Sequence, residues 1–416
     1  MNSMIETKLS LEQKLDKLAA VAIHVGLGLK PGQELVMTAS VDTLPLARCI
    51  TEQAYRAGAS LVTTLLSDDA LTLARYRYSR DEGFDHAPAW LYEGMASAFH
   101  KGSARLAITG ADPKLLSNED TAKVSRANRA NSIAYRPALE PISRHDINWT
   151  IVAGATPAWA ASMFPNDAPD AALAKLWEAI FFTSRIDVED PVAAWKAHDA
   201  GLQKRAAHLN EKRYAALHYQ GPGTDFRLGL ADDHMWMGGG TEAGNGVYCI
   251  PNIPTEEVFT TPHKDRAEGT VTASKPLSYM GTMIEDIQVR FSEGRIVDAR
   301  AHRGQEVLEK LLDTDEGSRR LGEAALVPHS SPISASGLTF LNTLFDENAA
   351  SHIALGQAYA DCVRNGSKLS PQELAAKGAN ESLIHVDWMI GNGALDIDGI
   401  THSGTVEPLM RKGEWV

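Results

Sequence analysis

The strongest constraint on the fold is a change of apolar periodicity along the chain. Residues 11–25 place Leu11, Leu15, Leu18, Ala22 and Val25 on one helical face. Pro31-Gly32 then turns the chain into a strand, Glu34–Thr38, and a helix follows around Leu44–Arg56. Gly58 breaks that helix ahead of a second strand, Ser60–Leu66. The cycle repeats with a helix at Trp90–His100, a strand at Ala104–Thr109, a polar helix over residues 119–131 and a strand at Trp149–Ala153. Strands alternating with helices at this spacing predict a parallel α/β sheet.

Helices fill much of 170–213 and end in the charged run Lys204–Arg213. From Tyr214 the texture changes to short segments separated by Gly, Pro and Asp: Phe226–Leu230, Val258–Thr260, Thr270–Thr272, Ile287–Phe291 and Arg295–Val297. Ser292-Glu293-Gly294 reads as a hairpin loop. A chain of 416 residues exceeds one ordinary core. The expectation is an N-terminal parallel α/β domain, residues 1–210, followed by a mainly β domain with inserted helices, residues 211–416, which carries the chemistry.

Composition narrows the partners. Hydrophobic content of 44% with 22% charged residues is that of a globular protein. A net charge of −13 disfavours nucleic acid or an anionic membrane as the main partner. Cys49, Cys249 and Cys362 show no Cys-x-x-Cys spacing, as expected in a reducing compartment. The opening Met1–Lys8 lacks the apolar core of a leader, and no apolar run approaches the roughly 18 residues of a membrane span. The expected location is cytoplasmic.

Several familiar motifs fail. Gly26-Leu-Gly28 with Gly32 follows a helix and misplaces its third glycine, so it is not a dinucleotide loop. No Walker-type loop, His-Glu-x-x-His or Gly-x-Ser-x-Gly elbow occurs. Trp236, Met237 and Gly238-Gly-Gly240 are candidate pocket material, although such glycine runs are more often plain loops.

Hard and borderline metal ligands gather in four later segments. In Asn252–Pro262, an extended chain points Glu256 and Glu257 to opposite sides. Glu323 lies between Arg319-Arg320 and an apolar run, where a local salt bridge competes with a metal role. In Asn348–Tyr359, a continuous helix would put His352 and Tyr359 on one face beside small residues. His385-Val386-Asp387 is flanked by Leu383, Ile384, Trp388, Met389 and Ile390, which implies a buried strand with its imidazole and carboxylate on the same side. An Asp in such surroundings is paired or coordinates a metal. Carboxylates and imidazoles without thiols suit a two-metal hydrolytic site holding zinc, cobalt, manganese or magnesium. A bridging Asp387 with one Glu and one His per ion would leave positions open for water and substrate.

These segments resemble the aminopeptidase T family of metallo-aminopeptidases, whose members are also called aminopeptidase S or leucyl aminopeptidase. The likeness covers essentially the whole chain and is strongest in Pro254–Thr260, Leu321-Gly-Glu323, Ser351–Tyr359 and Ile384–Gly391. The intervals fit as well: 66 residues from Glu257 to Glu323, 29 to His352, seven to Tyr359 and 26 to His385. Asn392-Gly393 follows the family pattern only loosely and lies outside the ligand set. The resemblance implies that Glu257, Glu323, His352, His385 and Asp387 bind two divalent metal ions, with Tyr359 at or beside them. It also implies a cytoplasmic homodimer that removes N-terminal residues from peptides with a free N-terminus.

The expected reaction is attack of an activated water on the scissile carbonyl. Tyr359 is a candidate for oxyanion stabilisation or metal ligation, and Glu323 or Glu256 for the general base. Two rivals stand beside it: a mononuclear iron ring-cleaving oxygenase, since His-Asp-carboxylate sets also suit non-haem iron, and a module whose metal serves structure alone.

Overall fold

The computed structural model describes residues 9–279 and 282–416. The Met1–Lys8 stretch, on which the reading of a missing leader rests, lies outside them. The chain forms two compact units. One comprises the chain up to His198 together with Gly240–Pro254; the other comprises Asp199–Gly239 and Thr255–Val416.

The first unit is built on four parallel strands, β1 (Glu34–Ser40), β2 (Leu61–Ser67), β3 (Ala104–Thr109) and β4 (Trp149–Ala153), in the order β2-β1-β3-β4. The alternation expected from sequence is therefore realised, with helices Leu44–Arg56 and Ala89–His100 where the apolar spacing puts them. The first helix, Leu11–Val21, opens on a capping box between Ser10 and Gln13. Its buried Lys14 is held by Glu178 and Asp187, each at 2.7 Å.

Two helices depart from expectation. Asp69–Tyr78 was not anticipated, because its long apolar residues point outward: Leu71 and Tyr78 are 73% and 83% exposed, so no inward stripe marks it. The polar helix over 119–131 continues to Ser143, through Pro137 and Pro141. The returning segment Gly240–Pro254 lies against β4, where the Ile151 amide donates to the Pro251 carbonyl at 2.7 Å and the Ile253 amide to the Ile151 carbonyl at 3.0 Å.

Two antiparallel sheets make the second unit. An eight-stranded sheet runs in the order 295–300, 288–292, 262–272, 224–230, 216–221, 396–400, 406–411 and 414–415. A five-stranded sheet runs in the order 385–389, 352–356, 321–326, 258–260 and 237–238. Apolar residues of both sheets share one core: Phe226, Leu228 and Phe291 from the first, Val258, Ala324, Ile353 and Trp388 from the second. The hairpin at Ser292–Gly294 forms as read, with Glu293 and Gly294 at positive φ.

The segment around His352 corrects an expectation. Asn348–Tyr359 is not a continuous helix; His352–Gly356 is a strand paired with both 321–326 and 385–389. Its small residues favour a helix locally, but the strand is buried along its whole length between two neighbours, so tertiary pairing overrides propensity. Gly356 ends it at φ 100°, where a Cβ would lie 2.1 Å from the Ile384 carbonyl oxygen.

That crowding makes Gly356→Ala a sharp probe. Strain at an incompatible positive φ together with the clash is expected to cost about 2 kcal/mol or more. Thermal unfolding of the metal-free protein checks it, and an unchanged midpoint would contradict the assigned geometry.

Candidate metal centre

The five-stranded sheet has one face on the core and gathers the titratable residues on the other. Glu323 pairs with Ala354, and Ala354 with Asp387, so Glu323 and Asp387 share a face across the intervening strand. His352 and His385 stand two residues from this row on their own strands, on the same face. The ladder slips between Leu321 and Glu323, and this bulge at Gly322 sets the aim of the Glu323 carboxylate. Glu257 enters just ahead of strand 258–260.

Two groups result. Glu257, Glu323 and His352 form one and Glu323, His385 and Asp387 the other, with ligand atoms within 4.8 Å of one another in each. His352 Nε2 lies 3.1 Å from Glu257 Oε2 and 3.6 Å from Glu323 Oε1. His385 Nε2 lies 3.4 Å from Glu323 Oε2 and 3.5 Å from Asp387 Oδ1. Glu323 is thus common to both groups and turns one oxygen to each imidazole. Its arginine neighbours are engaged elsewhere, Arg319 with Asp313 and Arg320 with Asp265.

Backbone carbonyls decide how the imidazoles present themselves. His352 Nδ1 donates to the Ala350 carbonyl at 3.0 Å, and His385 Nδ1 donates to the Gln357 carbonyl at 2.7 Å. A carbonyl only accepts, so the proton sits on Nδ1 and a neutral ring offers its Nε2 lone pair to the cluster. Buried acceptors also remain unserved: Glu257 Oε2 and Asp387 Oδ1 have no hydrogen-bond partner. Orphaned carboxylate oxygens facing two oriented Nε2 atoms are a donor set that fits divalent cations.

The electrostatics point the same way. Burial opposes ionisation of Glu323, but His352 and His385 outweigh it and hold its carboxyl at about 2. For His385, burial is outweighed by Asp387 and Glu323, which push it up to about 11. His352 is likewise raised by Glu257 and Glu323 against its burial. Burial raises Glu257, with His352 pulling the other way. Without metal, protons on the imidazoles are the cations that neutralise the carboxylates.

Residues 11–415 match the family model described as thermophilic metalloprotease (M29). The chain is 52% identical to aminopeptidase T of Thermus thermophilus over 98% of its own length and 99% of the relative's. It is 42% identical to aminopeptidase AmpS of Bacillus subtilis over 98% and 99% of the two chains. The solved structure of wild-type AmpT from Thermus thermophilus superposes with a TM-score of 0.93 at 51% identity, covering 98% of this chain and 100% of that one.

The chain belongs to the M29 family.

Membership in M29, among relatives named aminopeptidase T and S, makes it an enzyme of the metallo-aminopeptidase class. The ring-cleaving oxygenase and the purely structural metal module find no support in these matches. As for the remaining expected residues, Tyr359 lies in the loop after Gly356, its ring 4.7 Å from that of His385 and 6.2 Å from that of Phe259. It reaches the cluster by this turn and not by the helical spacing. Burial, followed by the negative charge of Glu323 and Asp387, raises its phenol.

Glu256 belongs to neither group. It is buried, its amide donates to Asn348 Oδ1 at 2.7 Å, and its charge acts on Arg205. Trp236 turns into the core, whereas Met237-Gly238 forms the strand beside Val258 and Phe259.

Sequence reading missed Glu347. Burial, then the charges of Glu257 and Asp387, push its carboxyl well above the carboxylate range, so it looks onto the same cluster. In the sequence, Asp346-Glu347 five residues before His352 has the appearance of solvated charge. No helix among the described residues is long and apolar enough to cross a membrane.

A pH experiment follows from the raised imidazoles. With its folded pKa above the unfolded value near 6.5, His385 stabilises the metal-free chain fully below that value and loses the contribution as pH rises towards 11. Glu323, depressed to about 2, contributes above its ordinary range and loses it as pH falls towards 2. Metal loading must expel the imidazole protons. Calorimetry in buffers of different ionisation enthalpy should show proton release on adding Zn²⁺ or Mn²⁺ at pH 7.5. Affinity should rise roughly tenfold per pH unit for each proton released; an affinity flat between pH 6 and 8 would count against these residues as ligands.

Proposed function

We propose that the chain is a two-metal aminopeptidase that hydrolyses the N-terminal residue from peptides. The observation that carries this reading is Glu323, which gives one carboxylate oxygen to each of two Glu/Asp/His groups. Glu257 and His352 would hold one ion, His385 and Asp387 the other, and Glu323 rather than Asp387 would bridge them. Divalent ions held there would supply Lewis acidity, polarising the scissile carbonyl and making a water acidic near neutral pH. Zinc, cobalt, manganese and magnesium all suit this ligand set.

The protein's own groups handle orientation and protons. Tyr359, on a loop against His385, presents a phenol that keeps its proton, so it serves as a hydrogen-bond donor to the charge that develops on the carbonyl oxygen. Glu347 faces the cluster from outside both groups and is better placed than Glu256 to take the proton of the attacking water and return it to the leaving amine. An unpaired carboxylate at the cluster also holds the free substrate amine, which favours cleavage at the chain end over internal cleavage. The three cysteines are free thiols, which fits a cytoplasmic setting. The homodimer is carried forward from the family resemblance alone.

Chelation and metal analysis test the core of this reading. Dialysis against a chelator is expected to abolish hydrolysis of an aminoacyl amide, add-back to restore it, and the restored protein to contain two ions per chain. Full activity without metal would sink the proposal, and one ion per active chain would remove its two-metal form.

Single substitutions separate the roles. Tyr359→Phe should lower kcat by a factor of about 10² to 10³ with metal content unchanged. Glu347→Gln should lower kcat and retain both ions if Glu347 is the proton acceptor; loss of an ion would make it a ligand instead. Glu256→Gln should change kcat far less than Glu347→Gln.

A further inference from the structure

The strand register places an apolar row next to the metal-binding groups. Phe259 pairs with Met237 on one side and Ala325 on the other, Ala325 pairs with His352, and His352 with Met389. Directly paired residues of antiparallel strands share a face, so Met237, Phe259, Ala325 and Met389 stand on the side of the sheet that carries His352. The alternate residues Val258, Ala324, Ile353 and Trp388 point the other way, into the core. The apolar row therefore contributes to the site face and not to the main core.

Its position suits a substrate side chain. The row of Glu323 and Asp387 lies two residues further along the strands, a separation of about 7 Å. That is the distance from a scissile carbonyl to the far end of a medium-sized side chain on the same residue. Ala325 is small and fully buried, leaving a depression between Phe259 and His352. Phe259 and Met237 are only partly buried, so the row opens outward at their end. Phe259 meets Tyr359 edge to face at 6.2 Å, and Tyr359 lies 4.7 Å from His385, so this wall is continuous with the reacting groups.

We infer that Phe259 and Met237 form the wall that receives the side chain of the substrate's N-terminal residue, and that the enzyme selects peptides beginning with an apolar residue. The inference rests on the aminopeptidase reading and adds its substrate class. A side chain such as leucine buries its surface against the phenyl and thioether groups, whereas glycine leaves the depression empty. A charged side chain would have to shed water against a wall that offers it no partner.

The test compares leucyl and alanyl p-nitroanilides with metal-loaded wild type, Phe259→Ala, Met237→Ala and Phe259→Leu. Wild type should prefer the leucyl substrate, and Phe259→Ala should lower the leucyl-to-alanyl ratio of kcat/KM about tenfold. Met237→Ala should lower it less, and Phe259→Leu should recover most of it. Calorimetric titration of the metal-loaded proteins with free L-leucine and glycine reads the same discrimination as binding: Phe259→Ala should weaken leucine about tenfold relative to glycine. An unchanged ratio, or equal loss on every substrate, would overturn the assignment. Wild type that hydrolyses neither substrate after metal restoration would instead overturn the aminopeptidase reading.

Discussion

Mutual repulsion among buried carboxylates governs this structure. Glu257, Glu323 and Asp387 converge on one sheet face with Glu347 looking on, in a place where water screens little. At close range in a low dielectric such charges cannot all persist unless cations join them. The sheet supplies two imidazoles whose Nδ1 protons are fixed by main-chain carbonyls. Without metal they carry the compensating protons; with metal they give up those protons and become ligands. The same four carboxyl groups are thus a liability to the empty fold and the source of its affinity for cations.

Rigidity comes from the backbone around the site. Three ligands sit in adjacent antiparallel strands and a fourth arises at a bulge, so ladder hydrogen bonds fix most of the geometry. Asn380 extends that control into the loop before Tyr359. Its buried amide donates to the carbonyls of Gly317 and Gly356, and its carbonyl accepts the Ala358 amide. Asp315 does the same for the approach to His385, accepting from the Leu383 amide and the Ser382 hydroxyl. Side chains that never touch the cluster determine where its members point.

Much of this was legible in the residues, and the failures have physical causes. Half-buried parallel strands and amphipathic helices leave periodic traces, so β1 to β4 and the helices between them could be read directly. The strand carrying His352 could not. It is buried on both faces, shows no alternation, and its small residues imitate a helix. The five expected ligands came together because motif spacing identifies a family more sharply than any local rule. Glu347 stayed hidden, since only the folded arrangement tells a carboxylate facing a cluster from one facing water. The return of Gly240–Pro254 to the first unit was equally invisible, being a long-range pairing without a local signature.

The order of these ligands along the chain has a consequence for biosynthesis. Glu257 and Glu323 are made long before His385 and Asp387, and the strand bearing the last pair closes the edge of the five-stranded sheet. A ribosome-bound chain that has exposed its first carboxylates still lacks half of the groups that compensate them. It can neither complete the sheet edge nor grip a second ion. Catalytic competence arrives only when synthesis passes Asp387, so an unfinished protease cannot digest other newly made polypeptides around it.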